Sequence, residues 1–177
     1  MEWFFEWEYR FMMFLQNSIR GPLQNKIMWF VTSLENAGFL SIAACLALLF
    51  QPRWRRVGQA ATLSMILEFL VVNLVLKNWI ARVRPYHLLE DLILLAKEPM
   101  DYSFPSGHTG AAFAVASVMF LGMPHSIGIL ALLVASLIGF SRIYLGVHFP
   151  TDVLGGLVVG CLTGFVAWKL TGRQWFR

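Results

Sequence analysis

The sequence predicts an all-α integral membrane helical bundle, with about five transmembrane helices behind an N-terminal interfacial helix. Three observations carry this prediction. Hydrophobic residues make up 58% of the 177 and charged residues only 14%. Mean hydropathy is +0.63. From Thr109 to Ser141 there is no Asp, Glu, Lys or Arg. A soluble globule does not carry such a composition, and seven Trp and fifteen Phe spread through long apolar segments exclude a disordered chain.

The first segment, residues 1–25, carries Glu2, Glu6, Glu8 and Arg10 and is too charged to span a bilayer or act as a signal peptide. Trp3, Phe4, Trp7, Phe11, Phe14 and Leu15 recur at helical steps, so the segment is expected to lie along the interface. The remainder, 26–177, forms the transmembrane domain. A crossing needs roughly 20 apolar residues, and spans are expected near 27–50, 57–79, 105–123, 126–145 and 152–170. Gly122, Met123, Pro124, His125 and Ser126 interrupt the uncharged run and make a tight hairpin. The connection 80–104 holds Pro85, Pro99 and most of the mid-chain charge, which places it outside the hydrocarbon or buried against protein.

Arg53, Arg55 and Arg56 in one short loop, and Lys169, Arg173 and Arg177 at the C-terminal end, stand without acidic neighbours and predict two cytoplasmic ends. Five spans then put 1–26, 78–104 and 144–151 on the external face. Gly156, Gly160 and Gly164 recur every fourth residue and allow a close helix contact. Glu35 and Glu68 sit inside apolar runs, where a carboxylate needs a partner or a proton; an interhelical hydrogen bond and a role in orienting a site residue or guiding a proton both remain open. Cys45 and Cys161 match no zinc spacing and no disulfide framework.

That external face also collects the chemistry. Lys77 ends one span, and Arg84 precedes Pro85 just beyond it. Pro105, Ser106, Gly107 and His108 immediately precede an apolar helix, whose first N–H groups lack helical partners and favour an anion. Ser141, Arg142, His148 and Asp152 lie where the fourth span ends and the fifth begins. Arg offers a planar fork of donors to phosphoryl oxygens and Lys a compact charge. A histidine four residues before a carboxylate can give it one ring proton and keep the other nitrogen as nucleophile, while a second histidine protonates the leaving oxygen. Each element alone reads as an anchor, a turn or a surface ion pair; their placement at successive span ends on one face points to phosphate-ester chemistry. A metal triad of His108, His148 and Asp152 would face repulsion from Lys77, Arg84 and Arg142. Nucleic acid would need a broad basic stripe in water, which the chain lacks.

Lys77 to Pro85 reads KNWIARVRP, 105–108 reads PSGH and 141–152 reads SRIYLGVHFPTD. In these three stretches the chain resembles the PAP2 superfamily, the type 2 phosphatidic acid phosphatases, in their membrane lipid phosphatase branch. The resemblance implies that Lys77, Arg84, Ser106, Gly107 and Arg142 bind the substrate phosphate. It also implies that His148 is the nucleophile forming a phosphohistidine, Asp152 its partner, and His108 the acid and later water activator. No metal and no cofactor are implied. The expected substrate is a phosphorylated lipid among membrane lipids, favouring undecaprenyl diphosphate; phosphatidylglycerophosphate, phosphatidate and lipid A are the alternatives. The setting expected is a bacterial plasma membrane with the site on the extracytoplasmic side. Outside this class stand a non-catalytic lipid-phosphate binding or translocation protein, a soluble-substrate phosphatase and a vanadate-dependent peroxidase. The oligomeric state stays open.

Overall fold

The computed structural model describes residues 2–172, and the side chains of 5–171. Arg173 and Arg177, and the side chains of Trp3 and Phe4, fall outside the described residues. In chain order the helices are α1 (Glu2–Phe14), α2 (Pro22–Ser33), α3 (Phe39–Phe50), α4 (Arg55–Phe69), α5 (Lys77–Ile80), α6 (Pro85–Leu88), α7 (Gly107–Gly122), α8 (His125–Tyr144) and α9 (Pro150–Gly172). A π-helical segment, Leu70–Leu76, joins α4 to α5, and another, Leu15–Ile19, extends α1. Among the described residues every regular element is helical.

Three segments among the described residues are long and apolar enough to cross a membrane: Pro52–Leu88, His125–Tyr144 and Pro150–Thr171. The pair Pro22–Ser33 and Asn36–Phe50, bent by 41°, makes a fourth when counted as one broken span. The expected span 27–50 is therefore not continuous. Ala37 and Gly38 adopt left-handed conformations, φ 53° and 73°, which end one helix and start the next; Glu35 at the break accepts hydrogen bonds from the Ser41 amide at 3.2 Å and hydroxyl at 2.5 Å. The expected span 105–123 appears as α7, only 16 residues long, so the five-span expectation is met in part.

Helix α7 is the axis of the bundle and packs against α9, α8 and α4. It is buried without interruption from Thr109 to Ala116, as a helix apolar on every side must be. Its Gly110, Ala111, Ala112 and Ala114 keep the surface low. The glycine series of α9 faces this surface: a β-carbon on Gly156 would stand 2.5 Å from the Ser106 carbonyl oxygen, and one on Gly160 2.5 Å from that of Gly110. The small-residue repeat is thus a packing seam between α7 and α9, as its spacing predicts.

The charged N-terminal helix is docked as well as amphipathic. Met12 and Leu15 join Leu89, Leu92, Ile143, Phe149 and Val153 in one apolar cluster, while Phe5, Trp7 and Phe14 stay exposed. Arg20 donates to the carbonyls of Tyr144 (2.6 Å) and Ile93 (2.6 Å), and Gln16 to that of Asp91 (2.8 Å). These bonds, with the Leu95 amide on the Leu145 carbonyl (3.1 Å) and the Ser103 amide on that of Arg82 (2.8 Å), fold the 80–104 connection back onto the helix ends.

Candidate active site

The site forms where α5, α7 and the α8–α9 turn end together. Pro85 sets Arg84 in an extended conformation, φ −76° and ψ 153°, as a residue before proline prefers. Ala81 turns the chain with φ 48°, so Arg84 points back toward Lys77. Ser106 caps α7, accepting from the Thr109 amide at 3.5 Å and hydroxyl at 2.9 Å, which satisfies one of the first amides of the helix. Gly146, with φ 83°, bends the chain after α8. His148 then lies in the turn before Pro150 starts α9.

Side chains from all three segments meet. Nη1 of Arg84 stands 3.3 Å from Nε2 of His148, and Nδ1 of His148 3.5 Å from Oδ2 of Asp152. Ser106 donates its amide to the Asp152 carbonyl at 2.9 Å. A cavity of about 410 Å³ is lined by Lys77, Asp101, Gly107, His108, Glu35 and Glu68, among others. A β-carbon on Gly107 would lie 3.7 Å from Nζ of Lys77, so the glycine leaves room between the lysine and the α7 backbone. His108 reaches Asn36 at the α2–α3 break, Nε2 to Oδ1 at 3.4 Å. Buried Arg142 donates to the Thr32 hydroxyl at 2.5 Å, and its Nε has no hydrogen-bond partner among the described residues.

Four contributors escaped the motif reading. Asp101, half-exposed in the long connection, bridges Lys77 and Arg84. Burial pushes its carboxyl up, but the hydrogen bond and charge of Lys77, with Arg84, pull it down to about 2. Ser103 donates to Asp152 and lies 3.5 Å from Nδ1 of His148. Arg82 and Glu8 stand behind Asp152, Arg82 donating to Asp152 at 2.7 Å and to Glu8. The charge inside 80–104 was the signal available for Asp101 and Arg82; nothing local marks Glu8.

His148 is fully enclosed. Burial pushes its imidazole down, the Asp152 contact opposes, and the charges of Arg84 and Arg142 add to burial, leaving it at about 4. The ring is therefore neutral at physiological pH. Nδ1 faces Asp152, and Nε2 lies on the cationic side, 3.3 Å from Nη1 of Arg84. Glu35 answers its expected need for a partner through Ser41. Glu68 lies against the Gly110 backbone, and its Oε1 has no hydrogen-bond partner among the described residues.

The family model described as "PAP2 superfamily" matches residues 57–176. The chain is 32% identical over 143 residues to an undecaprenyl-diphosphatase of Sulfolobus acidocaldarius, covering 81% of this chain and 68% of that protein. It is 37% identical over 161 residues to phosphatidylglycerophosphatase B of Bacillus subtilis, covering 84% and 75%. The crystal structure of Aquifex aeolicus LpxE superposes with a TM-score of 0.81 at 32% identity, covering 91% of this chain and 94% of that one.

Proposed function

The chain belongs to the PAP2 superfamily and is a multi-pass membrane phosphatase of that type, and from that premise we propose that it hydrolyses the terminal phosphate of undecaprenyl diphosphate through a phosphohistidine. The observation that carries the reading is the continuous set Lys77–Asp101–Arg84–His148–Asp152 beside Gly107 and His108. Lys77, Arg84, Arg142 and the α7 amides near Ser106 and Gly107 hold the phosphoryl oxygens, which take over Lys77 and Arg84 from Asp101. Nε2 of His148 attacks phosphorus, forming a P–N bond as the P–O bond to the lipid phosphate breaks. His108 gives a proton to that leaving oxygen. It then removes one from water, which attacks phosphorus, cleaves the P–N bond and releases inorganic phosphate. Donors already aimed at the developing charge lower the barrier without reorganisation, and the cationic donor set needs no metal to do so.

An apolar cavity of about 240 Å³ between α3, α7 and α8, lined by Leu40, Ala112, Ile127 and Ala131 among others, shares Glu35 with the polar cavity. A hydrocarbon tail beside α7 keeps about 0.8 kcal/mol per buried methylene while its headgroup enters the site. This junction supports a lipid over a sugar phosphate. Five passes, with the broken α2–α3 pair and α7 counted, leave the site on the extracytoplasmic face, and α1 lies at the interface with Phe5, Trp7 and Phe14 toward lipid. The relatives' names include an undecaprenyl diphosphate and a phosphatidylglycerophosphate enzyme, so the substrate is decided by a panel. Phosphate release from undecaprenyl diphosphate, phosphatidylglycerophosphate, phosphatidate and lipid A is measured on wild type and His148→Ala. Wild type is expected to prefer undecaprenyl diphosphate, and His148→Ala to bind it with at least about a thousandfold lower turnover. Near-normal release by the variant would remove the assigned nucleophile.

A further inference from the structure

Asp152 is held on both oxygens. Oδ2 accepts from Ser103 and from the Phe149 amide at 2.8 Å and faces Nδ1 of His148; Oδ1 accepts Nη1 of Arg82 at 2.7 Å. Arg82 is itself gripped. The same Nη1 donates to the Thr151 hydroxyl at 2.7 Å, Nη2 donates to Glu8, and the guanidinium lies 4.1 Å over the Phe149 ring. Glu8, on α1, is completely buried and accepts also from the Thr151 amide at 3.2 Å and from its hydroxyl.

A helix that only needed anchoring has apolar contacts enough in Met12 and Leu15. Burying a carboxylate is costly unless it is paired, and this one is spent on the cation that touches Asp152. We propose that Glu8 and Arg82 are positioning residues through which the N-terminal helix fixes the orientation and charge balance of the His148–Asp152 pair. The inference rests on the phosphohistidine reading above. Glu8 neutralises Arg82 from behind, so Asp152 keeps its full negative charge toward the imidazole.

The charged groups around His148 are Arg84 after α5, Asp152 on α9 and Arg142 on α8, and the imidazole of His108 on α7 interacts with it electrostatically. Behind Asp152 stand only Arg82 and Glu8 among the described charged residues in hydrogen-bond contact. Removing Glu8's charge exposes His148 to more of Arg82's, disfavours the imidazolium and moves the acid limb of the pH–rate profile to lower pH. Removing Arg82's charge moves it to higher pH. The substrate's own ionisation is the same in every variant, so the differences report the enzyme.

The test uses the full chain in lipid or detergent, with kcat and KM for the preferred lipid followed across pH. Glu8→Gln is expected to lower kcat roughly tenfold, leave KM within about twofold and shift the acid limb down; Arg82→Gln is expected to shift it up. Glu8→Asp keeps the charge, so its limb is expected at the wild-type pH even if kcat falls. Glu6→Gln, on the exposed Glu6–Arg10 pair of the same helix, is the control that leaves both unchanged. Wild-type kinetics in folded Glu8→Gln, or limbs that move together in Glu8→Gln and Arg82→Gln, would overturn the proposal. Should Glu8→Gln not accumulate folded, a displaced limb in Glu8→Asp would do the same. Wild type inactive on every lipid in the panel would instead count against the proposed function, before any variant is compared.

Discussion

In the proposed reaction His148 must be neutral to attack and still sit among cations that attract phosphate. The fold achieves both by enclosing the ring, and the cost is a pH dependence of stability. Unfolded, a histidine takes its proton near 6.5; folded, His148 takes it at about 4. Between those values the unfolded chain binds more protons, so stability falls as pH drops from about 6.5 to about 4. Asp101 acts at lower pH. Its carboxyl is depressed to about 2, so its ion pairs favour the folded state above about 4 and that contribution disappears as pH falls toward 2. Thermal unfolding followed across pH is expected to show both regions, with His148→Gln making the upper shallower and Asp101→Asn the lower. Lys77, Arg84, His108, Arg142, His148 and Asp152 could be picked out in the sequence only by their joint placement at successive span ends, since each alone reads as an anchor, a turn or a surface ion pair. Asp101, Arg82 and Glu8 were not, because each acquires its meaning only from a partner brought close by tertiary folding.

Apolar stretches of spanning length located α4, α8 and α9 well, since runs of about 20 mostly apolar residues admit little else. The break between α2 and α3 was hidden by the apolar average across 27–50, although the turn-forming Asn36 and Gly38 flank Ala37, and Gly38 takes one of the two left-handed positions. Its effect on the site is direct, because it brings Asn36 to His108. The α7–α9 seam was legible as a repeat, but its partner was not, since a small-residue stripe does not say which helix it meets. Gly160→Val is expected to destabilise by about 1–3 kcal/mol or more, because a β-carbon already stands 2.5 Å from the Gly110 carbonyl oxygen. A lowered midpoint in thermal unfolding checks this, and activity per folded molecule is expected to fall with it, as Gly156 in the same seam backs the Ser106 cap.

Across the whole molecule, three segments distant in sequence supply one site, so the site exists only when the bundle is closed. Met100 is fully exposed beside the site, whereas Cys45 is buried and Cys161 partly so. Met100→Cys in intact cells is expected to react with a membrane-impermeant maleimide added outside, and a cysteine replacing Arg53 in the opposite loop is expected to react only after permeabilisation. The reverse pattern would turn the protein over. The bridge from Asp101 to Lys77 and Arg84 bears on the end of the cycle. Cations able to grip a multiply charged product tend to keep it, and a departing phosphate would otherwise leave two buried charges bare. In the proposed reaction a tethered carboxylate returning to them offers a ready exchange, so that release would trade one anion for another and leave the emptied pocket guarded against stray anions until the next lipid arrives.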